Sequence, residues 1–377
     1  MNILVHSIYF PPEVGGLETH AYTLARAQIK LGHSVHVVTS RSGNFSRREN
    51  MEGIEVERIF CPNKRLSGWI TTTYAAKPAM RRMSEWADIC HVHTFPSIIP
   101  GNSARKRGVP LIATIHTSHF LRLVAKGGFW RKYLRSLLLK PDVLLTPSEE
   151  IRDVCLDLAP EAICYAMVNA ADTDRFKPVE PTIPRHEPDA TMLVVPRRLF
   201  EKNGVEFAVR ALPKIRESRN AHLYLIGDGP ERANLEALVD KIGIAEYVHF
   251  VGAQPNDRMP GLLCSADVIV IPSLMEATSV AGLEAMACER PIVATHVGGL
   301  PEIISHETGR LVPPRDPNSL AAAISEVLTL PENEIKAMGA KARAKVIGNW
   351  SVDSLAKQVL NYYDEARERY KISSIAK

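Results

Sequence analysis

Short apolar runs alternate with segments of helical periodicity along the whole chain. Apolar runs of this length, rich in Val, Ile and Leu and bounded by turn residues, are typical of buried strands. We predict ten strands, at residues 3–5, 34–39, 89–93, 111–116, 143–146, 192–195, 222–226, 248–251, 268–271 and 292–294. Strands and helices that alternate in this way form parallel sheets with helices on both faces, so the predicted fold class is α/β with doubly wound, Rossmann-like domains.

A proline-rich segment separates the two sets of strands. Residues 177–188 contain four prolines in twelve positions, a composition typical of a semi-rigid linker. We therefore predict an N-terminal domain over residues 1–178 and a C-terminal domain over residues 179–357, with their strand ends facing each other across a cleft. At the end of the chain, residues 352–375 carry apolar side chains at helical spacing and predict an amphipathic helix.

Length and composition favour a globular protein with two domains. The chain has 377 residues, of which 45% are hydrophobic and 23% charged. No apolar run approaches the roughly 20 residues of a membrane span. The first residues enter a strand-like run at once, so we expect no secretory signal. The six cysteines form no Cys-x-x-Cys pair, and we expect reduced thiols and a cytoplasmic location.

The charge is divided unevenly along the chain. Residues 1–180 carry a net charge of +6 and the remainder −2, within a total of +4. A basic half suits an anionic membrane surface or an anionic acceptor. Nucleic acid is not an expected partner, because no helix-turn-helix, RNA-binding aromatic signature or zinc finger accompanies the charge.

Two glutamates mark the most informative segment. Glu276 lies in the loop after the strand predicted at 268–271, and Glu284 lies in the first turn of a helix predicted from Leu283. Ligands of open α/β sheets bind at the carboxyl ends of strands. Carboxylates there accept hydrogen bonds from vicinal hydroxyls, while the free N–H groups of the helix attract an anion. A sugar nucleotide offers both kinds of group.

Six segments, taken in order, resemble the retaining glycosyltransferases of family four, which have the two-domain GT-B fold. Glu276 and Glu284 match the Glu-x7-Glu signature of the family, and the other matching segments are 11–18, 169–176, 225–230, 291–303 and 309–317. The resemblance implies a retaining, metal-independent transfer of a hexose-type sugar from a nucleotide-diphosphate sugar. The acceptor is a hydroxyl of a glycan, a lipid-linked molecule or a small molecule, and no separate cofactor is needed. It also implies that a C-terminal helix, about 358–377, packs back on the N-terminal domain.

The resemblance assigns four catalytic residues. Arg197 and Lys202 follow the strand predicted at 192–195 and match a pair of family cations that stabilise the charge on the leaving diphosphate. Glu276 holds hydroxyls of the transferred sugar in this assignment. His116, at the end of the strand predicted at 111–116, bonds a sugar hydroxyl or stabilises the developing oxocarbenium charge.

The same resemblance assigns the donor-binding residues. In the family, glycine loops approach the diphosphate and wall the nucleotide site, the helix N-terminus supplies backbone N–H groups, and the second glutamate binds the ribose diol. The residues concerned are Gly15, Gly16, Gly227, Thr278, Ser279, Val280 and Glu284.

Three features stay open at this point. Arg198 is an extra cation that a shift of one residue would exchange with Arg197. The segment Asp172-Thr-Asp174 is compatible with a metal site, but it also suits a turn and matches a structural segment of the family. His91 and His93 end a strand, where His93 is a candidate for the acceptor side. As a metal pair they lack a third ligand.

A basic segment over residues 119–140 contains six Lys or Arg residues and no acidic residue. Phe129, Trp130, Tyr133, Leu134, Leu137 and Leu138 recur there at helical spacing, with Arg131, Lys132 and Arg135 between them. Two interpretations stay open. The helix lies on an anionic bilayer, which suits a lipid-linked acceptor, or it packs on the sheet with a solvated basic face.

The sequence does not identify the donor, because Ala277-Thr278-Ser279 stands where the family often has Pro-Phe-Gly. Two other functions are compatible with the fold. A sugar-nucleotide epimerase would convert the donor without any acceptor. A non-catalytic nucleotide- or glycan-binding module would not need the glutamate pair and the Arg–Lys pair, and both pairs are present.

Overall fold

A computed structural model describes residues 1–13, 15–41, 43–63, 66–116, 118–276 and 278–375. The chain forms two units. The first contains Met1–Asn169 and the C-terminal segment from Val352, and the second contains Ala170–Ser351. Each unit is built on its own mainly parallel sheet, as the alternation of strands and helices requires.

The helices and strands follow one another in regular alternation. The first unit begins with β1 (Asn2–Ser7), α1 (Gly16–Lys30), β2 (Ser34–Arg41), β3 (Arg48–Met51), β4 (Ile54–Phe60), α2 (Leu66–Ala75), α3 (Lys77–Met83), β5 (Ile89–His93), α4 (Ile98–Arg105), β6 (Leu111–Thr114), α5 (Ser118–Ala125), α6 (Gly128–Leu138), β7 (Val143–Thr146), α7 (Glu149–Leu158) and β8 (Cys164–Ala166). The second contains β9 (Thr191–Pro196), α8 (Val205–Arg216), β10 (Ala221–Ile226), α9 (Arg232–Lys241), β11 (Val248–Gly252), α10 (Met259–Cys264), β12 (Val268–Ile271), α11 (Val280–Ala287), β13 (Ile292–Thr295), α12 (Leu300–Ile303), β14 (Gly309–Val312), α13 (Pro317–Thr329) and α14 (Glu332–Asn349). The helix α15 (Val352–Ile375) then completes the first unit.

The sheet of the first unit has the strand order β3-β4-β2-β1-β5-β6-β7-β8. All neighbouring strands are parallel except β3 and β4, which form an antiparallel hairpin. The central strands are buried on both faces, which explains why they read as continuous apolar runs. Because β5 and β6 are neighbours in register, the residues that follow them lie at one edge of the sheet.

Helix α15 packs on the first unit through α1 and the sheet. The hydroxyl of Tyr363, which is fully buried, accepts a hydrogen bond from Gln28 Nε2 at 2.8 Å. The same hydroxyl lies 2.8 Å from Nδ1 of His91 in β5. A buried phenol needs such partners, so this chain of hydrogen bonds fixes the helix on the unit.

The sheet of the second unit has the order β11-β10-β9-β12-β13-β14, and all its neighbouring strands are parallel. Apolar residues of β9, β10 and β12 form its core with α8 and α13. The strand order places β9 between β10 and β12. The loops that follow these three strands therefore emerge side by side at one edge of the sheet.

The predicted α/β fold class is confirmed, and each of the ten predicted strands overlaps an observed one. Strand β6 ends at Thr114, so His116 lies two residues beyond it rather than within it. Four strands were not predicted: β3, β4, β8 and β14. For β3 and β4 the turn residues Glu52 and Gly53, both with positive φ, were an available signal of a hairpin.

The two units are divided at other residues than the predicted domain limits. The division falls after Asn169 and before Val352, whereas the prediction placed it at 178 and 357. The reason is that the segment before the linker packs on the second unit. Phe176 is buried there, and its carbonyl accepts a hydrogen bond from Arg343 at 3.0 Å.

Candidate active site

Three loops of the second unit carry predicted site residues at the carboxyl ends of adjacent strands. Arg197 directly follows β9, Gly227 directly follows β10, and Glu276 lies in the loop after β12. This is the edge at which open α/β sheets bind ligands.

Arg197 and Glu276 form a nearly buried salt bridge. The side chains are 11% and 14% exposed, and a terminal nitrogen of Arg197 bonds Oε2 of Glu276. The same nitrogen donates to Oδ1 of Asn203 at 3.0 Å, and Ser273 Oγ donates to Glu276 Oε2 at 3.4 Å. Among the described residues, nothing accepts from the buried Nε–H of Arg197. The site thus holds a fixed guanidinium with one unused donor.

Close backbone contacts hold these loops together. A Cβ on Gly227 would lie 2.2 Å from the carbonyl oxygen of Arg197, and one on Gly204 would lie 2.0 Å from that of Pro272. Both positions therefore require glycine. The carbonyl of Lys202 also accepts from Leu274 N at 2.8 Å. The turn that carries Lys202, a half-buried residue, is thereby fastened to the loop that carries Glu276.

The helix α11 begins earlier than the sequence predicted. Ser279 is its N-cap and accepts from Gly282 N at 3.1 Å, so the first residue is Val280 rather than Leu283. Thr278 and Ser279 are buried, and the first-turn N–H groups that remain form an anion-binding end. Of the loop Ala277-Thr278-Ser279, Ala277 lies outside the described residues.

Glu284 is the fifth residue of α11, in its second turn rather than the predicted first turn. Burial raises the pKa of its carboxyl to about 8, against a favourable effect of Arg175 and an unfavourable one of Asp172. The carboxyl is therefore mostly protonated near neutral pH, and in this form it can both donate and accept a hydrogen bond.

The segment Asp172-Thr-Asp174 is a turn. Oδ1 of Asp172 accepts from the backbone N–H groups of Asp174 at 3.2 Å and Arg175 at 3.1 Å. This supports the structural interpretation of the segment. The turn places Arg175 beside Glu284, a neighbour that the sequence did not reveal because residues so far apart in the chain give no local signal.

Arg197 and Arg198 differ in their surroundings. Arg198 is exposed, and its guanidinium lies 5.3 Å from the ring centre of Phe200. Only Arg197 of the two contacts Glu276 in the described structure.

In the first unit, Gly15 and Gly16 stand at the start of α1. Gly15 is the N-cap and Gly16 is the first helical residue. A Cβ on Gly16 would meet no atom of the described residues within 4 Å, so the surface there is open. His20 lies one turn later on the same face of α1.

His116 belongs to a histidine cluster with His20 and His93. Nδ1 of His93 lies 3.0 Å from Nε2 of His116, and the ligand nitrogens of all three residues lie within 4.8 Å of one another. His20 is thus the third neighbour that the sequence analysis did not find, and its spacing from Gly16 was the available signal. His91 instead contacts Thr114 Oγ1 at 2.7 Å.

These histidines are neutral near pH 7. Burial lowers the pKa of His20 to about 4, although a hydrogen bond with Asn169 opposes the shift. Burial, followed by the neighbouring imidazoles, lowers the pKa of His93 and of His116 well below the usual value. His116 can therefore act as a hydrogen-bonding group but not as a resident cation.

The basic segment forms α5 and α6. Leu134, Leu137 and Leu138 of α6 are buried, while Phe129 is 72% exposed. Arg131 bonds Asp157 at 2.6 Å, and Arg135 bonds Glu161. Part of the helix therefore packs on the unit, as one of the two interpretations requires. Within the described ranges, none of the helices combines the length and the apolar character that crossing a bilayer requires.

Two family models match the chain. That of glycosyltransferase family 4 covers residues 14–175, and that of the group 1 glycosyl transferases covers residues 190–330.

Curated relatives match over most of their length. The chain is 29% identical to an uncharacterized glycosyltransferase of Methanocaldococcus jannaschii, over 98% of this chain and 99% of that protein. It is 30% identical to glycogen synthase of Mycobacterium tuberculosis, over 88% and 87%. It is 29% identical to a phosphatidylinositol N-acetylglucosaminyltransferase of Arabidopsis thaliana, over 97% and 82%.

Solved structures share the fold. Sucrose-phosphate synthase of Thermosynechococcus elongatus superposes with a TM-score of 0.81 and 21% identity, over 97% of this chain and 98% of that one. Anabaena HepE, solved in complex with UDP and glucose, gives a TM-score of 0.75 and 17% identity, over 96% and 99%. These likenesses confirm the predicted GT-B fold class.

Proposed function

The chain belongs to the group 1 glycosyltransferases, and on that basis we propose that it transfers a hexose-type sugar from a nucleotide-diphosphate sugar to a hydroxyl acceptor, with retention of the anomeric configuration and without a metal ion. The observation that carries the proposal is the state of Arg197. Its guanidinium is buried and held by Glu276 and Asn203, yet its Nε–H has no acceptor among the described residues.

An oxygen of the leaving diphosphate is a suitable acceptor for that N–H. Breaking the glycosidic bond places negative charge on the diphosphate, and a fixed cation stabilises this charge without reorganising. Lys202, whose turn is fastened to the same loops, supplies a second cation. Two cations at this position supply the neutralising charge that a divalent metal would otherwise bring.

The two glutamates take separate parts of the donor. Among the described residues Glu276 is bonded through Oε2, so its Oε1 is left to accept from hydroxyls of the transferred sugar. Glu284, protonated near neutral pH, is suited to the ribose diol because it can donate to one hydroxyl and accept from the other. The backbone N–H groups of Thr278, Ser279 and Val280 face an anionic group in this assignment.

The first unit contributes His116, Gly15 and Gly16 in this proposal. His116 is neutral, so we assign it a hydrogen bond to a sugar hydroxyl rather than a charge interaction. Gly15 and Gly16 offer the backbone N–H groups at the start of α1 to a phosphate, as the family resemblance implies.

Retention follows from the family resemblance. None of the residues assigned here is placed as a nucleophile, so we propose attack of the acceptor on the face that the diphosphate leaves. The leaving phosphate then takes the proton of the acceptor hydroxyl. The product linkage, measured by NMR against the anomeric configuration of the donor, tests this step.

The relatives support the donor class and suggest the kind of acceptor. HepE was crystallised with UDP and glucose, and the Arabidopsis relative is named for transfer to phosphatidylinositol. We propose a glycan or a lipid-linked molecule as the acceptor of this chain, with the enzyme on the cytoplasmic side of the membrane.

A surface on the first unit suits a lipid-linked acceptor. We call Tyr74, Phe129, Trp130 and Tyr133 the aromatic face; burial and then Tyr74 raise the pKa of Tyr133, which places α2 and α6 at one surface. Phe129 and Tyr74 are 72% and 54% exposed. Lys77 lies 4.2 Å from the ring centre of Tyr74, and Lys126 lies 6.0 Å from that of Trp130. Aromatic side chains with adjacent cations favour an anionic bilayer.

The test is a thermal-shift screen of the purified chain against UDP, GDP, ADP, dTDP and their sugars, followed by transfer from the best donor to candidate acceptors. A ligand of the folded state raises Tm according to its concentration and affinity. We expect one diphosphate to raise Tm and its sugar to be consumed only when an acceptor is present. Conversion of the donor without an acceptor indicates an epimerase, and no shift with any diphosphate contradicts the proposal.

A further inference from the structure

A second histidine cluster lies in the other unit, away from the residues assigned above. It consists of His186 in the linker, His222 in β10 and His249 in β11. Their ligand nitrogens all lie within 4.8 Å of one another, and Nδ1 of His222 lies 3.0 Å from Nε2 of His249. The ring centres are 5.1 Å, 4.7 Å and 5.3 Å apart.

We propose that His186, His222 and His249 bind a single zinc ion. Zinc takes imidazole nitrogens at about 2.0–2.1 Å in tetrahedral geometry, which places the nitrogens about 3.3 Å apart and the ring centres about 5 Å apart. The ring separations already have this size. Metal binding replaces the contact between His222 and His249 with two metal–nitrogen bonds and needs a small movement of His186.

Three imidazoles with no carboxylate among the ligands favour zinc over calcium or magnesium, which prefer oxygen. Imidazole has a pKa of about 6.5, so the ligands are mostly unprotonated above pH 7. His186 is exposed, which leaves the fourth coordination position to water.

The strands and the linker hold the three side chains in place. β10 and β11 are parallel neighbours, with Tyr224 paired to His249. The linker is fixed on either side of the sheet edge: Ser265 Oγ accepts from Ile183 N at 2.9 Å, and Arg185 NH2 donates to Asp267 at 2.6 Å. His186 follows directly, so its backbone is already positioned over the two strand histidines.

The cluster lies at the amino ends of the strands. His222 is the second residue of β10, and Gly227 follows the last, so the two are roughly 16 Å apart at about 3.3 Å per residue. The zinc is therefore a structural ion that fastens the linker to the sheet. It does not contact Arg197 or Glu276, and the inference does not depend on the proposed function.

The test uses the untagged full-length protein, stripped with EDTA, dialysed, and titrated with zinc chloride at pH 7.5 by calorimetry. We expect one ion per chain at this cluster and a rise in Tm on zinc addition. Cobalt in place of zinc should give the visible absorption of a four-coordinate site. His186→Ala is the main variant, because an exposed side chain can be removed without opening the core, and it should weaken zinc binding at least tenfold.

Two control variants locate the ion. His306→Ala removes an exposed histidine of the same unit outside the cluster and should bind zinc like the wild type. His20→Gln tests the cluster of the first unit. Zinc binding that is weakened by His186→Ala and by His249→Ala, but not by His306→Ala, supports the proposal. No zinc binding by the wild type, or binding that only His20→Gln weakens, overturns it.

Discussion

Arg197 and Glu276, 79 residues apart in the chain, form a salt bridge in which neither side chain is more than 14% exposed. A pair this deeply desolvated is costly to break, because the partner left behind is an uncompensated buried charge, typically by about 3–5 kcal/mol. Variants at either position therefore change the free energy of unfolding as well as the rate. Each such variant needs a measured Tm before its rate is interpreted.

The first prediction concerns the two cations. Arg197→Ala and Lys202→Ala should each lower kcat by about 100-fold or more, because each removes a charge partner of the transition state. Initial rates at saturating donor measure the effect. Arg198→Ala is the matched control, since this neighbouring arginine is exposed and packs on Phe200. An equal loss in the control would mean that the basic turn acts only through its overall charge.

The second prediction separates the two glutamates. Glu284→Ala should weaken binding of the free nucleoside diphosphate by about tenfold to 100-fold, the value of a hydrogen bond of about 1.5–3 kcal/mol. Glu276→Ala should lower turnover and leave that binding nearly unchanged, because its assigned partner is the sugar. Calorimetry with the diphosphate measures both. If Glu284→Ala binds it like the wild type, the ribose assignment is wrong.

The third prediction follows from the raised pKa of Glu284, about 8 in the folded chain. Between about pH 4.5 and 8 the folded state holds a proton that the unfolded state releases, so this residue makes stability fall as pH rises. Glu284→Gln cannot titrate. Its stability relative to the wild type should therefore increase with pH, by up to about 1.4 kcal/mol per pH unit. Urea unfolding at pH 5, 6.5 and 8 measures the difference, and a constant difference contradicts the shift.

The fourth prediction concerns metal ions. Initial rates should persist in EDTA, because Arg197 and Lys202 neutralise the diphosphate. Loss of activity that manganese restores would instead make Asp172–Asp174 a metal site. If the linker histidines bind zinc, EDTA should lower Tm while the rate at low temperature is maintained.

The fifth prediction concerns the aromatic face. The chain should sediment with anionic vesicles but not with neutral ones. Lys77→Glu, Lys126→Glu and Lys132→Glu together should abolish this, because each exposed cation near an anionic surface contributes about 1 kcal/mol. Arg131 and Arg135 are less suitable targets, since they already bond Asp157 and Glu161. Exchange of the exposed lysines 214, 241 and 357 for glutamate is the control, and equal sedimentation of the two triple variants argues for a purely solvated face.

The sequence predicted the elements whose burial is uniform. Strands β5, β7 and β12 have the predicted bounds, because both of their faces are apolar. Strand β4 was missed because Glu57 and Arg58 are buried within it, each only 2% exposed, and a buried ion pair looks like a surface position in a sequence. Arg82 bonds Glu57 at 2.6 Å and thereby makes the burial possible.

The candidate site was predicted as a set of positions but not as a set of contacts. Strand order could be inferred to place Arg197 and Glu276 at one edge, whereas their salt bridge depends on side-chain direction. The raised pKa of Glu284 depends on burial and on Arg175 and Asp172, and His20 approaches His116 only through the packing of α1. These are tertiary effects, and no local pattern encodes them.

The second unit is an uninterrupted stretch of chain whose two ends meet. The first unit ends at Asn169 and resumes at Val352. Between them, Ala171 pairs with Ser351, and Ala171 N donates to Trp350 O at 2.9 Å. A gene fragment that encodes residues 170–351 therefore starts and stops at neighbouring points in space.

Such a fragment can be exchanged between relatives with two junctions that lie side by side. Arg197, Lys202, Glu276 and Glu284 all travel with it, whereas His116 and the aromatic face stay behind. A chimera built at these junctions should take its nucleotide preference from the transplanted fragment and its acceptor preference from the host.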